Sequence, residues 1–245
     1  MRPRTDSGTR LLEQNWESRP AIDFHDYLDP YSNRCRRLTL PDGEATVHYE
    51  LLAETPGGVD DADFDAPELD AADLPDDVLI YTSPSRYCLS DVLEPVAREL
   101  FGTTASGYRR VQTISEFVHN HIDYTLGSST PLSTAVSVFE SGTGVCRDFA
   151  HLAISLCRAL DIPARYTFGY LPDIDARSIY PMDFHAWFEA YLGDRWWTFD
   201  PRNNERRKGR IVIGSGRDAV DVAMLTTYGN AALEDLRVWA DQVAD

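Results

Sequence analysis

Between residues 146 and 160 the apolar side chains leave almost no polar face. Phe149, Ala150, Leu152, Ala153, Leu156, Cys157, Ala159 and Leu160 describe a helix enclosed on all sides, ended by Asp161-Ile162-Pro163. Residues 111–122 carry a narrower stripe: Val111, Ile114, Phe117, Val118 and Ile122 fall at helical spacing, with His119 and His121 off that face as ordinary surface residues. Ser90 to Leu100 reads as another helix, with Ser90 a possible N-cap and Pro95 delaying or kinking its first turn. Leu132 to Phe139 reads as a short one, ended by Gly142 and Gly144. After Pro163 the pattern turns strand-like. Segments 164–171, 184–191, 195–200 and 210–214 predict an antiparallel sheet, with Gly193-Asp194 turning one pair as a hairpin.

The N-terminal part is less patterned. Residues 1–30 are polar and interrupted by Pro3, Pro20 and Pro30, so irregular structure is expected there. Strand-like runs at 35–40 and 45–53 flank Pro41-Asp42-Gly43 and read as a hairpin. From Asp60 to Asp77 there are nine acidic residues and no basic one, the signature of a solvated linker or loop. The tail, 225–243, reads as a last strand or a packing segment.

Composition narrows the context. A chain of 245 residues with 43% hydrophobic content can bury a full core. Its net charge is −17 and Lys208 is the single lysine, a composition suited to concentrated salt and pointing to a halophilic source. Such a negative surface repels polyphosphate backbones, which argues against nucleic acid or an anionic membrane as partner. No apolar run approaches the ~20 residues of a membrane span, and no signal-peptide pattern opens the chain, so cytoplasmic residence is expected. Four cysteines, Cys35, Cys88, Cys146 and Cys157, are not needed as disulfides in a chain of this length.

Candidate chemistry begins at Cys146, in Ser-Gly-Thr-Gly-Val-Cys-Arg-Asp-Phe-Ala-His, where a glycine-bearing turn opens the enclosed helix. The N–H groups and dipole at a helix start favour a thiolate. His185 lies in an aromatic strand-like run, and Asp200 ends the next one, Arg-Trp-Trp-Thr-Phe-Asp-Pro. The hairpin would bring the imidazole and the carboxylate together, as a base and the group that orients it. Each residue alone has an ordinary reading as a core thiol, a core histidine or a turn aspartate. Three elements converging on one edge are harder to explain that way.

A zinc site from Cys146, His151 and Cys157 fails on helix geometry. His151 lies roughly 140° around from Cys146, and Cys157 about 16 Å along the axis. No metal and no cofactor are therefore expected. His151 is assigned to the core or to the surroundings of the site, and Trp187 to a dry flank of His185 or to the core. The Cys146 N–H is a first oxyanion donor, and Tyr124 is a candidate for the second. The basic segment 202–210 is read as a solvated turn.

Gly-Val-Cys-Arg-Asp-Phe-Ala-His-Leu, Ile-Pro-Ala-Arg-Tyr with Gly-Tyr-Leu, Asp-Phe-His-Ala-Trp-Phe-Glu-Ala-Tyr and Trp-Thr-Phe-Asp-Pro together resemble the transglutaminase-like superfamily, in its prokaryotic branch of proposed cysteine proteases. Gly-Arg-Ile-Val-Ile with 216–223, Pro-Ser-Arg-Tyr-Cys at 84–88, and Tyr-Ser-Asn-Arg-Cys-Arg-Arg-Leu at 31–38 extend the likeness to roughly residues 25–245. The resemblance implies an α+β, papain-like core in which a cysteine-bearing helix packs on an antiparallel sheet, with a short N-terminal β region. It gives Cys146, His185 and Asp200 the nucleophile, base and orienting positions. Members of the branch begin with several strands, whereas only about thirty residues precede the Asn-Arg segment here. The expected division is an irregular segment over 1–30, a β region with its acidic loop over 31–80, and a catalytic domain over 81–245. The implied activity is acyl transfer on a peptide or amide through a thioester. Hydrolysis is preferred, with amine transfer or a non-catalytic binding role as alternatives.

Overall fold

The computed structural model describes residues 1–4, 8–176 and 182–243. Its N-terminal part holds four strands, β1 (Arg10–Arg19), β2 (Phe24–Leu28), β3 (Arg34–Leu38) and β4 (Thr46–Glu54). They correct two expectations. Residues 10–19 and 24–28 are extended and paired, not irregular. Pro41-Asp42-Gly43 does not close a hairpin, because β3 pairs with β2 and β4 pairs with β1, both antiparallel. The physical reason is an aromatic and cationic cluster that no local turn signal reveals. The Arg36 guanidinium lies 4.3 Å from the Trp16 ring centroid and 3.5 Å from that of Phe24, and Trp16 also meets Tyr49 across the strands.

The helices follow: α1 (Ser90–Phe101), α2 (Tyr108–His121), α3 (Ala135–Ser141) and α4 (Cys146–Arg158), with two short strands, β5 (Asp123–Tyr124) and β6 (Thr143–Gly144), paired parallel between them. Ser90 is the first helical residue of α1 and not its cap, and α3 starts at a Thr134–Ser137 capping box, later than its apolar run suggested. Four antiparallel strands complete the fold: β7 (Ala164–Tyr170), β8 (His185–Leu192), β9 (Arg195–Phe199) and β10 (Ile211–Gly216), in the order β10-β7-β8-β9. Helix α4 lies against β7 and β8 while α1, α2 and α3 pack around it, and every residue from Asp148 to Arg158 is buried. The architecture is α+β, and the enclosed helix read from the sequence is its centre.

Three polar segments are more involved than their composition suggested. The acidic tract is not a free linker: Ala66 and Leu74 are buried, and Glu68 accepts from the Gly107 N–H and from Arg110, each at 2.8 Å. His119 and His121 are half-buried. His119 Nδ1 is 3.1 Å from the Pro201 and Arg202 carbonyls, and His121 stacks between Phe117 and Phe139 with its Nε2 2.7 Å from the Phe139 carbonyl. At 216–223 the chain is fastened to the helical layer, where Asp218 accepts the Tyr87 N–H and His151 Nε2 accepts that of Ala219. Beyond it, residues 225–243 form no helix or strand.

One asparagine ties the N-terminal segment to the sheet. Buried Asn33 donates to the Ser215 carbonyl and accepts the Ser215 N–H, both at 2.9 Å, while Asp29 and Arg4 hold its remaining valences. Truncating it leaves β10 with unpaired buried backbone groups. Asn33→Ala is expected to cost about 2–3 kcal/mol in urea unfolding. A loss below about 0.5 kcal/mol would show that the tie is dispensable.

Candidate active site

Cys146 stands at the first turn of α4, half-buried, and its placement depends on how that helix is started. The Asp148 carboxylate reaches back to accept the Val145 N–H at 2.9 Å and also accepts from Ser129 Oγ at 3.0 Å. That fixes the chain direction into the helix. Gly144 permits it, since a Cβ there would sit 2.8 Å from the Asp148 Cβ. Ahead of the helix, β6 pairs with β5 and sets Tyr124 beside Gly144, two residues from Cys146. The first-turn N–H groups have no partner within a helix, so that of Cys146 is available as a donor.

His185 and Asp200 are brought together by the β8–β9 hairpin, whose turn is Gly193-Asp194, as the sequence predicts. Phe188 pairs with Phe199, so Asp200 comes opposite Trp187 and diagonal to His185. On the other side Gly169 pairs with His185, and any Cβ at Gly169 would collide with the Ile211 carbonyl of β10. A glycine is therefore required at the register that carries the imidazole.

His185 Nε2 lies 2.8 Å from Asp200 Oδ2. An ionised carboxylate only accepts, so Nε2 carries the hydrogen and Nδ1 is the unprotonated nitrogen of the neutral ring. Burial opposes a charged imidazole. The Asp200 charge and the hydrogen bonds to Asp200 and Cys146 outweigh it, raising the His185 pKa to about 9. Burial likewise opposes the Asp200 charge, but His185 and Arg210 hold that carboxyl well below the usual range.

Sequence reasoning missed the groups that hold Asp200. Arg210 Nη2 donates to Asp200 Oδ2 at 2.9 Å, and its Nε spans both oxygens of Asp60 at 3.0 and 2.9 Å. The Arg210 and Asp60 side chains are only 7% and 11% exposed, so this is an interior ion network. Asn203 adds two hydrogen bonds to the Asp200 carboxylate, at 3.1 Å through its N–H and 3.0 Å through its amide. The 202–210 segment is thus not a solvated turn, and Asp60 is not part of a solvated linker. The available signal was the coincidence of a basic run just after Asp200 with an isolated acidic tract in a chain otherwise short of cations.

The remaining candidates divide. Trp187 is fully buried, stacks on His185 with centroids 6.3 Å apart, and lies under Arg210 at 4.8 Å, walling the imidazole from solvent. Its indole N–H has no partner among the described residues. His151 makes no hydrogen bond to the three central residues. It is buried between Tyr87 and Tyr166, and burial lowers its pKa well below the ordinary value. Tyr124 is 43% exposed, with the Arg202 guanidinium 4.2 Å from its ring centroid. Among the described residues no three His, Cys, Asp or Glu side chains converge as metal ligands, and no helix is long and apolar enough to cross a membrane.

A thiol near a buried, carboxylate-held imidazole is the pairing that nucleophilic attack on a carbonyl calls for. Known proteins agree with this picture at the level of fold and family. The family model of the transglutaminase-like superfamily matches residues 94–201, from α1 to just past Asp200. An uncharacterised protein of Mycobacterium leprae is 28% identical over 247 residues, spanning 96% of this chain and 87% of its own. One from Mycobacterium tuberculosis is 35% identical over 126 residues, 47% of this chain and 40% of that relative. A proposed cysteine protease from Cytophaga hutchinsonii, solved by crystallography, superposes with a TM-score of 0.84 at 32% identity, covering 98% of this chain and 86% of that one. The fold, the family model and this near full-length likeness agree: the chain belongs to the transglutaminase-like superfamily.

Proposed function

We propose that the protein is a cysteine-dependent acyl-transfer enzyme in which Cys146 is the nucleophile, His185 the general base and Asp200 the orienting carboxylate. The observation that carries this reading is the buried 2.8 Å bond between His185 Nε2 and Asp200 Oδ2, with the Cys146 thiol close enough to help raise the imidazole pKa. His185 takes the thiol proton, and the thiolate adds to an amide carbonyl carbon. The developing oxyanion meets the Cys146 N–H, with Tyr124 as the candidate second donor. Partial burial raises the pKa of the Tyr124 phenol, against the opposing Arg202 charge. The imidazolium then protonates the departing amine, leaving a thioester. Water, deprotonated by His185, releases the acid and restores the thiol.

Hydrolysis is favoured over amine transfer because the site is open: Cys146 is half-buried and Tyr124 is exposed beside it. Transfer to an amine requires that water be kept from the thioester. The acidic composition makes molar salt the natural assay medium, and a cytoplasmic, halophilic setting remains our reading of it.

Iodoacetamide at neutral pH is expected to modify Cys146, read by peptide mass spectrometry, and Cys146→Ala to remove that adduct and any thioester formed with an amide library. Cys88 and Cys157 are buried, and burial pushes the Cys88 thiol up to about 12 and raises Cys157 further, so neither should label in the folded protein. Equal labelling of the mutant and parent proteins would sink the nucleophile assignment.

The imidazole supplies a second test. Its folded pKa of about 9 exceeds the ordinary 6.5 of an unfolded chain. Its contribution to stability is therefore fully present below about pH 6.5 and is lost as pH rises through about 9. Asp200→Asn removes the main charge behind the shift and should flatten this window, with the His185 NMR titration moving down by more than about one unit. An unmoved titration would exclude Asp200 as the partner that holds the imidazolium.

A further inference from the structure

Arg202 lies with its guanidinium at the rim of this site, beside Tyr124, and has no part in the proposed mechanism. It follows Asp200 by two residues, and its carbonyl is anchored 3.1 Å from His119 Nδ1. Its guanidinium reaches over the Tyr124 ring, 4.2 Å from the centroid, and its charge acts on the Tyr124 phenol. Tyr124 pairs through β5–β6 with Gly144, two residues ahead of Cys146. The cation is thus pinned to the nucleophile's side of the site by Tyr124 and to the base's side by its own backbone.

Among the described residues Arg202 makes no ion pair. The nearby Arg207 and Arg210, by contrast, are both matched to carboxylates. Asp183 acts electrostatically on the same tyrosine, but its carboxylate caps the Phe184 N–H and does not pair with Arg202. A half-buried guanidinium with a flat aromatic support and no carboxylate partner among the described residues can receive a carboxylate in two parallel hydrogen bonds.

We propose that Arg202 binds a carboxylate of the substrate, so that the amide processed at Cys146 belongs to an acidic peptide or an N-acyl amino acid. This rests on the assignment of Cys146 as nucleophile. The carboxylate docks on the fork while the amide carbonyl lies over the thiolate, and one ion pair sets both affinity and orientation.

The probes are N-iodoacetyl derivatives of one, two and three glycines, each compared with its C-terminal amide in 1 M salt. In every case the Cys146 sulfur forms a bond to the methylene carbon as iodide leaves, so the chemistry is identical and only the distant carboxylate differs. At least one acid is expected to alkylate Cys146 about fivefold faster than its amide, the scale of an accessible charge pair. The acid-to-amide ratio should fall to about one in Arg202→Gln and be partly retained in Arg202→Lys. A loosened Tyr124 alone would slow both members of a pair and leave the ratio intact. No preference at any spacer length, or a preference that survives Arg202→Gln, overturns the carboxylate site while leaving the nucleophile in place. Failure of the neutral amides to modify Cys146 overturns the nucleophile assignment and this inference with it.

Discussion

The structure around the site depends on one buried charge, the Asp200 carboxylate. A carboxylate whose side chain is 1% exposed is stable only if its oxygens are fully matched, since the cost of desolvating it reaches several kcal/mol. His185, Arg210 and Asn203 supply that match. Arg210 is itself buried and needs a second carboxylate, and Asp60 provides it from a segment 150 residues away in sequence. One charge at the end of β9 thus fixes the path of the β9–β10 connection and holds down one end of the acidic tract. The same network fixes the imidazole tautomer with its hydrogen on Nε2.

Cys146 is positioned by independent means. Helix α4 is enclosed, so its axis is set by packing against β7 and β8 and by the surrounding helices. Its first turn is set by the Asp148 cap, which Gly144 admits. The imidazole is set by strand register, in which Gly169 allows β10 to approach β7 opposite His185. Gly144 thus leaves room for the helix cap and Gly169 for the neighbouring strand, where a Cβ would not fit.

Much of this was legible in sequence, for a physical reason. Helix α4, the stripe of α2 and the Gly193-Asp194 hairpin express burial and turn geometry through local spacing, and they carry Cys146, His185 and Asp200. What escaped is non-local. Strand β1 exposes most of its side chains, so no alternation marks it; its pairing with β4 and the Arg36 stack on Trp16 and Phe24 exist only after the chain returns. Asp60 looked like its eight acidic neighbours in the tract, and Arg210 like a loop cation, because an ion pair between distant segments leaves no periodic trace. Motif residues were visible because they are local, and the groups that support them were hidden because they are not.

The charge of −17 appears at first to conflict with a carboxylate-bearing substrate, since the field of the whole molecule repels anions. Range resolves the conflict. The Debye length is about 8 Å at physiological ionic strength and about 3 Å in 1 M salt. In concentrated salt the repulsion from distant surface carboxylates is screened away, while a guanidinium in hydrogen-bond contact with a bound carboxylate is not. The acidic surface keeps the molecule solvated, and a single arginine supported on a tyrosine face can still select an anion at the rim. Low salt reverses the balance, because the long-range repulsion returns while the contact at Arg202 gains comparatively little. A composition that disfavours anions in dilute buffer is thus compatible with selecting them where salt is high.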